Sequence, residues 1–143
     1  MARDELPDLQ DQNIHEHHEY SVSVVELKQA LREDDPKVVE CYFREGNDRS
    51  ANDYLGIVTP LMLACNFHSV NCARVLIEEF GADVNLGDEG RTPLTIAMEK
   101  AYDDKDEKAA KMLEVLIPAG ADVNVKDGKY TPLEYALKLV FFL

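Results

Sequence analysis

The stretch Gly81–Leu94, GADVNLGDEGRTPL, decides the fold. It returns thirty-nine residues later as Gly120–Leu133, GADVNVKDGKYTPL. The copies agree at nine of fourteen positions: GADVN, one aspartate (Asp88 and Asp127) and TPL. Self-similarity of this kind means that the folding unit is a module completed by its neighbours, not a whole-chain core.

The TPL end of the stretch occurs three times, at Thr59-Pro60-Leu61, Thr92-Pro93-Leu94 and Thr131-Pro132-Leu133. Each reads as a helix start. The threonine hydroxyl can accept an orphan N–H of the first turn, worth roughly 1 kcal/mol. Proline suits the first helical position, where no donor is needed. Leu61 with Ala64 and Leu94 with Ala97 begin the buried face. A second helix follows over roughly residues 71–80, with Ala73, Val75, Leu76 and Ile77 apolar, and Gly81 closes it. In the next module the charged run Tyr102–Lys108 falls where the turn between the helices belongs. It adds about six residues to a period of ~33, and is expected to be solvated surface. AAKMLEVLI then forms the second helix, with Pro118 at its last turn and Gly120 closing it.

Upstream, SVSVVELKQALRE carries Val24, Leu27, Ala30 and Leu31 at helical spacing. Asp34-Asp35-Pro36 interrupts it. PKVVECYFREG makes a second helix with Val38, Val39, Tyr42 and Phe43 on one side and Gly46 as the expected left-handed cap. Residues 47–58 are turn-rich.

Residues 1–20 are acidic and without sustained period, the composition of a flexible or loosely docked leader. His15, His17 and His18 cluster there, but a tail lacks the outer groups that orient metal-ligating imidazoles, so a solvated segment is the expectation. The chain has 28 acidic against 15 basic residues and a formal net charge of −13. That disfavours nucleic acid and anionic membrane surfaces and favours a basic protein partner. No apolar run reaches the ~18 residues of a membrane span, and MARDELPDLQ lacks a signal-peptide core. Cys41, Cys65 and Cys72 sit among apolar residues without zinc-like spacing, as reduced core thiols do. The expected location is cytoplasmic or nuclear.

TPLMLA, TPLTIA and TPLEYA, with LIEEFGADVN and VLIPAGADVN, resemble the ankyrin repeat. The resemblance implies an all-α solenoid of stacked antiparallel helix pairs joined by β-hairpin loops: about three repeats plus a C-terminal half repeat. The expected units are an N-terminal capping repeat (21–50), repeats at 59–88 and 92–127, the latter carrying the inserted run 102–108, and a half repeat at 131–143. The sequence departs from the family pattern at its fourth motif position, usually His. Here it is Met62, Thr95 and Glu134. The bonding that this histidine makes between neighbours is expected to be missing.

The family uses its hairpin tips and first helices for partner contact. Carried over, those positions are Tyr54, Leu55, Val58, Asn66 and Phe67, then Glu89, Arg91, Glu99 and Lys100, then Lys129 and Tyr130. Aromatic and Arg side chains dominate interface energy, which singles out Tyr54, Phe67, Arg91 and Tyr130; packing between repeats is the competing role of Phe67. No phosphate-binding glycine loop, metalloprotease motif or nucleophile motif occurs. The expectation is a non-enzymatic adaptor or inhibitory subunit without cofactor or metal. Two other classes stand beside it. Leu139–Leu143 is an apolar run at the end of the array, suited to a further repeat, a partner or self-association. Leu116 with Asp122-Val123-Asn124 is similar to the substrate pattern of an ankyrin-directed asparagine hydroxylase, marking Asn124 as a modification site.

Overall fold

The structure is a computed structural model and describes residues 21–45, 48–88, 91–104, 106–125, 131–134 and 137. The acidic leader, Gly46, the Asp127-Gly128 turn and residues 139–143 lie outside the described residues.

Six named helices follow in chain order: α1 (Val24–Glu33), α2 (Pro36–Glu45), α3 (Pro60–Asn66), α4 (Val70–Glu78), α5 (Pro93–Asp104) and α6 (Glu107–Leu116). They make three antiparallel pairs in two layers. α1 packs on α3 and α3 on α5, while α2 packs on α4 and α4 on α6. The core runs through the stack as Leu27, Leu31 and Val39, then Leu61, Ala64 and Leu76, then Leu94, Ala97, Met112 and Leu116, all essentially without exposure. No pair encloses its own apolar face, so each interface supplies the burial that the next pair needs.

Local chemistry sets the helix ends. The Thr59 hydroxyl accepts from Met62 N–H at 3.2 Å, with Pro60 opening α3. Ser23 caps α1 by accepting from Glu26 N–H at 3.2 Å. Asp34 ends α1 in the left-handed region (φ 57°). Gly81 (φ 66°) and Gly120 (φ 101°) reverse the chain after α4 and α6, where an L side chain would be strained. Val24, expected on the buried face, lies in the first turn of α1 and is exposed; Leu27, Ala30 and Leu31 carry that face.

The charged run is the main departure from the sequence reading. It is not all turn: its first three residues, Tyr102–Asp104, continue α5, making that helix twelve residues long against seven for α3, and Glu107 and Lys108 begin α6. Tyr102 packs partly against the core, and Ala101 just before it is buried. Asp106 then caps α6, its carboxylate accepting from Lys108 N–H at 2.9 Å. Helical continuation satisfies backbone groups that an exposed loop would leave to water, and Asp103, Asp104, Glu107 and Lys108 stay exposed.

Candidate functional site

An asparagine recurs seven residues before each Thr-Pro start, Asn52 before Thr59, Asn85 before Thr92 and Asn124 before Thr131, and the first two tie one repeat to the next. Asn52 Oδ1 accepts from Asp83 N–H at 2.7 Å, and its amide donates to the Gly81 carbonyl at 3.4 Å. Asn85 repeats this one module on, accepting from Asp122 N–H at 2.7 Å and donating to the Gly120 carbonyl at 3.1 Å. The residue two before each asparagine holds its backbone: Ser50 Oγ, Asp83 Oδ1 and Asp122 Oδ1 accept from the N–H of Asn52, Asn85 and Asn124. The Asn124 side chain has no partner among the described residues and is exposed.

The clasps set the hairpins. Leu55 N–H donates to the Val58 carbonyl at 2.6 Å, and Asp88 N–H to the Arg91 carbonyl at 3.1 Å, the same pairing one repeat later. Gly87 is required beside it: a Cβ there would lie 2.1 Å from the Arg91 carbonyl oxygen. Gly56 (φ 87°) and Ile57 make the tip of the first hairpin, and Ile57 is 85% exposed. Tyr54, 42% exposed, stands beside it. Leu55 and Val58 turn largely onto the core. Ile57 was not among the sequence candidates; the glycine beside it, in a turn-rich stretch, was the available signal.

Arg91 is exposed and its guanidinium reaches Glu99 at 3.3 Å, joining the second hairpin to α5; Lys100 follows half-buried. Asn66 ends α3, half-buried. Phe67, 36% exposed, lies beneath the Arg32 guanidinium at 5.3 Å, at the opposite end of α3 from the hairpins. It is thus separated from Tyr54 and Arg91 by the length of that helix. Glu89, Lys129 and Tyr130 lie outside the described residues.

The missing motif histidine is compensated within the repeat. Thr92 N–H donates to Thr95 Oγ1 at 2.8 Å, and Thr95 N–H to Thr92 Oγ1 at 3.4 Å. Glu134 does the same for Thr131, accepting its N–H at 2.8 Å. Small and acidic residues at this position close a reciprocal cap, while the asparagine clasps carry bonding between repeats.

Capped helix pairs stacked in one direction, with clasped hairpins along one edge, fit the repeat that the sequence resembles, and the family model decides the matter. This chain is an ankyrin-repeat protein. The family model described as ankyrin repeats (3 copies) matches residues 27–127. A search of curated protein sequences gives no match. Ankyrin repeats are in general protein–protein interaction modules, which agrees with a polar edge carrying isolated apolar and aromatic side chains. Among the described residues no group of His, Cys, Asp and Glu is arranged to hold a metal ion, and no helix is long and apolar enough to cross a membrane. The histidine cluster at 15–18 lies outside the described residues.

Proposed function

We propose that this ankyrin-repeat chain is a non-enzymatic adaptor or regulatory subunit that grips a protein partner with its hairpin edge. The carrying observation is Ile57, held almost fully exposed at a hairpin tip that Asn52 anchors, beside exposed Tyr54. An apolar side chain pre-positioned in this way loses little freedom on binding. Arg91 and Glu99 extend the surface onto the next repeat. The net charge of −13 steers a partner with a basic surface, raising the association rate at low salt. Affinity capture with the wild-type chain, set against a Tyr54→Ala/Ile57→Asp/Arg91→Ala variant, tests this. A protein retained by the first and lost by the second supports the assignment; identical capture sinks it.

A second reading is assembly through the C-terminal helix. Leu133 and Leu137, one helical turn apart, are 67% and 50% exposed. They are an apolar pair suited to a second copy or a partner, and the sequence continues apolar through residues 139–143. Light scattering of the chain with and without residues 139–143 separates an assembly from a monomer.

Asn124 is the favoured residue for asparagine hydroxylation: both asparagines are exposed, but Asn85 spends its amide on the Gly120 carbonyl whereas the Asn124 side chain has no partner among the described residues. A mass gain of one oxygen on the Asn124 peptide from native material is the expected result.

A further inference from the structure

On the edge opposite the hairpins, where the two helices of each repeat turn into one another, the chain reverses its own electrostatics. A cavity of about 270 Å³ opens there, lined by Asp34, His68, Val70, Asn71, Arg74, Lys108 and Lys111. Three cations meet in one hollow of a protein that carries −13 overall. Arg74 comes from α4, and Lys108 and Lys111 from α6. All three are exposed, and none has an ion-pair partner among the described residues.

The acids at the helix turns are already engaged, while Glu78 and Glu114 line a neighbouring hollow with Arg74. The Asp34 carboxylate accepts from Cys72 N–H at 2.9 Å, the Asn71 amide at 3.0 Å and Asn71 N–H at 3.4 Å, closing the start of α4. Asp104 bonds His68 at 2.8 Å, and Asp106 accepts from Lys108 N–H. One of the cations also stands at the wrong end of its helix. Lys108 lies in the first turn of α6, where the positive end of the helix dipole disfavours a cation, while Arg74 and Lys111 sit near the middle of α4 and α6. A cation held against its own helix end while converging with two others on one cavity marks a binding role.

We propose that this cavity binds a phosphate monoester group, either on a free small molecule or on a phosphorylated side chain of a partner. A guanidinium forks onto two phosphate oxygens, and two ammonium groups meet the remainder of a charge near −2. A single carboxylate would satisfy the guanidinium and leave both lysines unmatched. The site is independent of the hairpin edge: it uses other residues at the other end of the helices.

The test is a heteronuclear NMR titration of the full ¹⁵N-labelled chain with O-phosphoserine, with a phosphoserine peptide, and with serine as control. Saturable shifts centred on Asn71, Arg74, Lys108 and Lys111, with no response to serine, are expected. Response to both phosphorylated probes identifies a free-ligand site; response to the peptide alone identifies a partner's side chain. Arg74→Gln and Lys111→Gln, substitutions at exposed unpaired positions, should each weaken binding about tenfold. Lys108→Gln should weaken it while raising the thermal midpoint, since it removes a cation from a helix start. Shifts that are absent, non-saturable, or unchanged in these variants overturn the assignment.

Discussion

His68 Nε2 lies 2.8 Å from Asp104 Oδ2, joining the α3–α4 turn of one repeat to the overhanging end of α5 in the next. The His68 backbone sits in the left-handed region (φ 58°), which few non-glycine residues adopt. Its side chain is only 10% exposed, while that of Asp104 is 47% exposed. The inserted residues thus lengthen a helix until it reaches back over its neighbour.

Asp104→Ala therefore frees the last turn of α5 more than it lowers global stability. The pair is half in water, so the expected loss is about 0.2–1 kcal/mol. Amide exchange at residues 101–104 should accelerate well beyond the rest of α5. Unchanged protection there would mean that the contact does not hold the helix end.

The three phased asparagines separate by engagement. Asn52→Ala and Asn85→Ala each remove an acceptor from a backbone N–H and a donor from a carbonyl, at an expected cost of about 1–3 kcal/mol. Asn124→Ala, at an exposed side chain, is expected to stay within about 0.5 kcal/mol. Urea unfolding of the three variants should show this order, and equal losses would contradict it.

Gly87→Ala places a methyl group 2.1 Å from the Arg91 carbonyl oxygen, so the hairpin backbone must move. A loss of roughly 1–3 kcal/mol is expected, as for other overpacked sites. Because the strain falls beside Arg91, partner affinity should drop as well. Wild-type stability in this variant would show the hairpin to be loose.

Leu116 is fully buried between α6 and its neighbours. Leu116→Ala should cost about 2–5 kcal/mol by lost burial and cavity formation. A urea titration that finds less than about 1 kcal/mol would remove Leu116 from the core.

The cysteines should label in a fixed order. Burial raises the thiols of Cys65 and Cys72 far above their ordinary value of 9.0, with Asp34 adding to the effect at Cys72. Cys41 is partly exposed and is raised by burial first, then by Glu45 and Glu40. A maleimide pulse on native protein should modify Cys41 alone. In the unfolded chain the two buried thiols ionise near pH 9, whereas in the fold they stay neutral. Folding stability is accordingly intact below that pH and declines as the pH rises above it. Cys65→Ala should make the decline shallower.

Helix starts were readable because they rest on short-range chemistry: Thr59 accepts an N–H three residues on, and Pro60 needs no donor. The burial of Leu61, Leu76 and Leu94 was equally plain from their spacing. The asparagine clasps were not, because Asn52 sits in a stretch that otherwise shares little with GADVN. Their partners lie 29 to 37 residues away. The exposure of Ile57 escaped notice because an apolar residue in a loop carries no periodic signal. Glu89, Lys129 and Tyr130, three of the candidate contacts, fall outside the described residues.

GADVN and TPL, recurring in phase, were sufficient by themselves for the family resemblance and the helix pairs, since capping, left-handed glycines and apolar period act within a few residues of chain. Only the tertiary structure decided where the inserted charges go. Residues 102–104 became helix because α5 could continue over the preceding turn, bury part of Tyr102 and meet His68. The same stacking brought Arg74 beside Lys108 and Lys111, more than thirty residues apart in the chain. Such a meeting depends on how one repeat is seated on the next, and no local preference of the residues themselves encodes it.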